Sequence, residues 1–187
     1  MKKGRYNFIS QANLPKGPYL GQELSLPSDI KWAQTSDFND IAKNHCGAVF
    51  ITNLALYYKN IGYDKVLTNN LSDTFSAVHT IVGNGPKMLI AKNSKTYFLQ
   101  KGYKLKYKTF RSFKKVKTSL AKGQPLAVLL TTGILDWHWV MAVGWREYSC
   151  GERYLRVITG WDFTSNKFYR INKSAYLWSI TKYWIDL

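Results

Sequence analysis

The 187-residue chain is predicted to fold as one α+β domain, its helical first half packed on an antiparallel sheet drawn from its second half. Three patterns predict this. Apolar residues recur at three-and-four spacing from Cys46 to Ile61; strict alternation of apolar and charged residues begins at Tyr103; and apolar runs bounded by turn residues follow from Leu126 to Ile171. Apolar residues make up 45% of the chain and aromatic residues 16%, enough buried surface to offset the entropy of ordering it and so to exclude a disordered chain. The length suits a single core better than two independent ones, so residues 1–187 are read as a single domain.

Residues 1–38, rich in Pro, Gly, Ser and Asn, read as an extended N-terminal arm, with brief apolar anchors in Leu26-Pro27-Ser28-Asp29-Ile30-Lys31-Trp32. Residues 39–102 form the helical half. Its clearest helix starts at Cys46 and carries Phe50, Ile51, Leu54, Tyr57 and Tyr58, with Val49, Ala55 and Leu56 off the main stripe, so it is apolar nearly all round and belongs inside a core. Ser72 is read as the cap of a second helix ended by Gly83-Asn84-Gly85-Pro86, and a third is predicted from Lys87 to Lys101, stopping at Gly102.

Residues 103–187 form the mainly antiparallel sheet half. Tyr103, Leu105, Tyr107 and Thr109 alternate with Lys104, Lys106 and Lys108, as in a strand with one wet face. Ser112 opens a short helix through Leu120, Gly123-Gln124-Pro125 leads into the buried run Leu126–Leu130, and strands follow at 138–146, 153–160 and 167–171. A turn at Ser149-Cys150-Gly151 joins the first two of these as a hairpin.

Charge is unevenly spread. Lys and Arg total 27 against 11 Asp and Glu, a net +16, and no acidic residue occurs from Thr74 to Leu135. The lysines of the 87–122 segment therefore present a basic surface to an anionic partner or simply to solvent. Nucleic acid is not the expected partner, because no helix-turn-helix, zinc-finger or stacking-platform signature accompanies the lysines. No run reaches the ~18 apolar residues of a membrane span. Met1-Lys2-Lys3-Gly4-Arg5 has the basic start of a secretory signal without its apolar stretch, which leaves a cytoplasmic protein or one trimmed from a secreted or cell-surface protein.

Cys46 and Cys150 are too few for a disulfide framework and are expected as free thiols. Cys46 sits at a helix start, where the helix dipole and a nearby imidazolium acidify a thiol and its own N–H can face an oxyanion. His138 opens the strand His138-Trp139-Val140-Met141-Ala142-Val143-Gly144-Trp145, a rigid mounting for a general base. His45 is expected to border the cleft and His79 to be structural. A metal site built from Cys46, His45 and His138 lacks ligand spacing, and no metal or cofactor is expected.

Taken together, Asn44-His45-Cys46-Gly47-Ala48-Val49 before an apolar helix, Leu120-Ala121-Lys122-Gly123-Gln124-Pro125 before a buried strand, and the His138–Trp145 strand resemble the papain-like cysteine peptidases, especially their bacteriocin-leader-peptidase (double-glycine peptidase-like) branch. The similarity covers residues 25–172. It implies a papain-like fold, a peptide or protein substrate and acyl transfer through a thioester, with Cys46 as nucleophile and His138 as base. The third member falls at Asp162, or at Thr159 where Thr159-Gly160-Trp161 is set against the family's Asn-Ser-Trp. Asp40 stands where such peptidases place an oxyanion-binding Gln, leaving Asn39 or Asn44 as the donors. A catalytically silent binding module and a papain-fold toxin or deamidase are the alternative readings.

Overall fold

The structure, a computed structural model, describes residues 6–27, 29–85, 87–133, 136–171 and 176–186. The chain start, with its signal-like basic residues, and Pro86 of the second helix stop lie outside them.

Helix α1 (Cys46–Asn60) is buried along almost its whole length, as its all-round apolar surface requires. Its polar interior residues are satisfied at once. Thr52 Oγ1 donates to the Ala48 carbonyl at 3.0 Å, and Asn53 clasps the backbone of Ala33. Helix α2 (Leu71–Val82) is capped by Asn70 and not by Ser72: Asn70 Oδ1 accepts from the Asp73 N–H at 2.8 Å, which places Ser72 inside the first turn. Helix α3 (Ile90–Gln100) starts later than the predicted Lys87, whose carbonyl is held by the Trp139 indole N–H at 3.1 Å. Helix α4 (Phe113–Leu120) follows Ser112 as predicted.

The strands are β1 (Ile9–Ser10), β2 (Tyr19–Glu23), β3 (Leu105–Phe110), β4 (Leu126–Gly133), β5 (Asp136–Tyr148), β6 (Arg153–Ile158), β7 (Lys167–Arg170) and β8 (Tyr176–Ile185). They form one antiparallel sheet in the order β1-β7-β6-β5-β4-β8-β3, with β2 also paired to β5. The predicted extended arm thus contributes two short strands. Strand β8 enters the sheet between β4 and β3. Along one edge of the long β5, β4 covers residues 136–142 and β2 takes over at Gly144. A side chain at Gly144 would lie 2.8 Å from Glu23 Cγ, so glycine is what lets β2 approach there.

Helix α1 packs on the sheet, with Phe50 between the rings of Trp139 (6.2 Å) and Tyr183 (5.9 Å). The start of α1 is equally tight, because a Cβ on Gly47 would sit 3.3 Å from Ile90 Cδ1. On β3 and β8, Lys108 and Lys182 are directly opposite, and the neighbouring acid, Asp186, is taken by Lys106. Like charges facing across a strand pair repel, so this edge of the sheet is strongly positive. No helix among the described residues is long and apolar enough to cross a membrane.

Candidate active site

Helix α1 and strand β5 start side by side, and this brings Cys46 and His138 to one narrow cavity, which Thr35, Asn53, Trp139, Thr159 and Gly160 also line. Three attachments fix the walls. Asn53 Oδ1 accepts from the Ala33 N–H (2.8 Å) while its Nδ2 donates to the Ala33 carbonyl (2.9 Å), pinning the arm to α1. The Thr35 N–H donates to the Gly160 carbonyl at 2.8 Å, pinning the same arm to the loop after β6. His45 Nε2 donates to the Thr35 carbonyl at 2.8 Å. His45 is thus a buried brace, edge-on to Phe38 and Phe75, and not a residue of the cleft border. His79 stacks on Phe75 and bonds Asn84 Oδ1 at 3.0 Å.

His138 is fully buried. Its Nε2 lies 2.7 Å from the Thr159 carbonyl oxygen. A carbonyl only accepts, so Nε2 carries the proton and Nδ1 keeps the lone pair, the tautomer a base needs. Nδ1 is buried and has no hydrogen-bond partner among the described residues, the Cys46 thiol included. Trp161 stacks on the imidazole at 3.8 Å and 11°, which fixes the ring plane and shields the bond to Thr159 from water. Burial pulls the His138 pKa down to about 4, against the opposing effects of the Thr159 carbonyl and the Asp136 carboxylate.

The orienting partner of the ring is therefore Thr159, through its main-chain carbonyl and not its hydroxyl. Asp162 has another task. Its Oδ1 accepts from the Thr164 N–H and hydroxyl, both at 3.1 Å, and Oδ2 faces the Thr159 hydroxyl at 3.4 Å, so the carboxylate braces the turn that presents the carbonyl. Gly160 completes that turn with φ +70° and 3.1 Å of space toward Val49, which neither a left-handed L-residue nor a Cβ tolerates well.

Cys46 is a free thiol, as is the exposed Cys150. Main-chain N–H groups of Trp139, Gly47 and Cys46 itself surround the sulfur and favour its thiolate, yet burial outweighs them and pushes the thiol up to about 11. The acidified thiol expected from the helix start is thus overruled in this conformation. The cavity shared by thiol and imidazole is too narrow for a water molecule.

The oxyanion donors that the resemblance implies lie away from the cavity. Asn39, Asp40 and Asn44 are all exposed and none lines the cavity; Asn44 adopts φ +55° and its carbonyl accepts from the Gly85 N–H at 2.5 Å. Gln34 spends its amide on Asp37 Oδ1 at 3.1 Å. The donors gathered at the sulfur are main-chain N–H groups, which no side-chain pattern reveals.

Two further residues escape the sequence reading. Tyr6, fully buried, and Phe8 lie over the imidazole: Tyr6 is 5.5 Å from the rings of both His138 and Trp161, and Phe8 is 6.4 Å and 5.8 Å from the same pair. The Tyr6 hydroxyl donates to the Asp136 carbonyl at 2.9 Å and faces Asp136 Oδ1 at 3.1 Å. Asn7 between them is left-handed, φ +47°, so the two rings are brought together by a kinked backbone that no periodic pattern in the sequence announces. No protein-family model and no curated protein matches the chain.

Proposed function

We propose that the chain is a papain-like cysteine peptidase or amidase that cleaves a peptide or isopeptide bond through a thioester on Cys46. The observation that supports this most is the shared cavity: a thiol at a helix start and an imidazole held in its basic tautomer meet from distant parts of the chain. His138 Nδ1 takes the thiol proton as the sulfur attacks the amide carbonyl. The C–N bond breaks, and the leaving amine departs with that proton. Water then attacks the thioester, gives its proton to Nδ1 and releases the acid, restoring the thiol. With the thiol pushed up and the imidazole pulled down, the resting pair is neutral, so proton transfer accompanies attack and no standing ion pair precedes it.

The positive edge around Lys108 and Lys182 favours an anionic partner or an acidic substrate. A delivered toxin or deamidase would use the same bond-making steps. A silent binding module is the second reading, favoured by the closure of the cavity and by the absence of a thiol–imidazole hydrogen bond among the described residues.

Incubating the chain with a complex peptide mixture and reading new termini by mass spectrometry separates these readings. The peptidase reading expects new termini that vanish in Cys46→Ala, with acidic peptides cut more slowly as salt rises. Identical termini from both chains would leave the binding module.

A further inference from the structure

Cys46 and His138 have to reach a substrate, yet His138 is fully buried and Cys46 only 7% exposed. Beside Trp161, the rings packed against the imidazole are Tyr6 and Phe8, from the start of the described chain. From Tyr6 to Ser10 the segment sets two aromatic rings, tilted or edge-on, against His138 and Trp161. One hydroxyl ties it to Asp136, two residues before the base. Its only ladder pairing is with the outer edge of β7, through Ile9 with Phe168 and Ser10 with Lys167. An edge strand held by two residue pairs can leave the sheet without breaking any other ladder among the described residues. The cavity's own lining is held more firmly: Thr35 and Asn53 are tied into the arm and α1, and Thr159 and Gly160 into the turn after β6, while Tyr6 and Phe8 pack on the imidazole from outside that lining.

We infer that residues 6–10 are an intrinsic latch: with Tyr6 and Phe8 seated, the Cys46–His138 pair is closed, and release of this edge segment opens it to substrate. The inference rests on the peptidase reading for its purpose, but the closure itself is testable without turnover. Displacement exposes Nδ1 and the sulfur to water, which relieves the burial that keeps both groups neutral. Whatever frees the segment, whether a ligand competing for the aromatic stack or cleavage within the arm, then acts as an activator.

The test measures the rate at which iodoacetamide labels Cys46, mapped by peptide mass, in chains that carry Cys150→Ser. The parent is compared with Tyr6→Ala/Phe8→Ala and with Ser10→Cys/Lys167→Cys, whose positions are antiparallel partners at ~4.5–5.5 Å between Cα atoms, a span that a disulfide bridges. If the latch is closed about 99% of the time, its loss speeds labelling about 100-fold, and the oxidised tether slows it below the parent until reductant is added. The tethered chain decides the matter even where the alanine variant fails to fold: labelling no slower when oxidised than when reduced overturns the latch. So does a cooperatively folded Tyr6→Ala/Phe8→Ala chain that labels at the parent rate. Adding His138→Gln to the unlatched chain separates the two claims. Acceleration that survives this change keeps the latch and removes the acid–base reading; acceleration lost with His138 upholds both.

Discussion

Between pH 6.5 and pH 4 the fold is expected to lose about 3 kcal/mol through His138 alone, since its pKa falls from 6.5 to about 4 on burial. The unfolded imidazole binds a proton over this range and the folded one does not. The contribution is therefore fully present above pH 6.5 and is lost as pH drops through the folded value. Urea unfolding at pH 4, 5, 6 and 7 checks it, with His138→Gln as the reference that cancels every other titrating group. The parent's stability should climb toward neutrality faster than the variant's by up to about 1.4 kcal/mol per pH unit. Parallel curves would mean that the ring is not buried neutral. Cys46 adds the mirror effect at alkaline pH. Its raised pKa gives stability that is present below the ordinary thiol value of 9.0 and lost as pH rises through about 11.

Asn53→Ala is expected to destabilise the fold by about 2–5 kcal/mol, because Ala33 is fully buried and both its N–H and its carbonyl lose their partner together. Asn53→Asp keeps an acceptor for the Ala33 N–H but turns a carboxylate oxygen toward the Ala33 carbonyl, so it should not rescue the loss. The consequence reaches the site, since the same arm carries Thr35 to the cavity and braces Gly160. Denaturant midpoints measure the effect; a loss below about 0.5 kcal/mol would show that the arm is held by something other than this clasp.

Much of this architecture is written in local pattern. The helix after Cys46, the alternating lysine strand, the turn at Ser149-Cys150-Gly151 and the buried run from Leu126 each follow from short-range spacing, and each lies where it was expected. Strand β8 was not legible, because Tyr176–Ile185 mixes aromatic, hydroxyl and charged residues without period, and its place between β4 and β3 depends on pairing with distant segments. Ser72 misled for a different reason: two good capping residues stand close together, and Asn70 reaches the Asp73 N–H first.

At the candidate site, Cys46 and His138 carry side chains whose chemistry is visible in the sequence, and the structure brings both to one cavity beside the turn of Thr159 and Asp162. What those groups experience is not visible in the sequence. A main-chain carbonyl orients the imidazole, and main-chain N–H groups ring the sulfur; such groups exist at every position and leave no mark in a sequence. Burial reversed the expected thiol acidity because solvent access is decided by tertiary closure, which short-range spacing does not show.

The pairing of sulfur and imidazole is tested most directly by the pH dependence of Cys46 alkylation in the unlatched, Cys150→Ser chain, with and without His138→Gln. A working pair predicts rapid labelling near neutral pH that falls about 10²–10⁴-fold when His138 is replaced, the range that a positioned general base supplies. Identical rates in the two chains, both rising only toward the alkaline range of an isolated thiol, would contradict it.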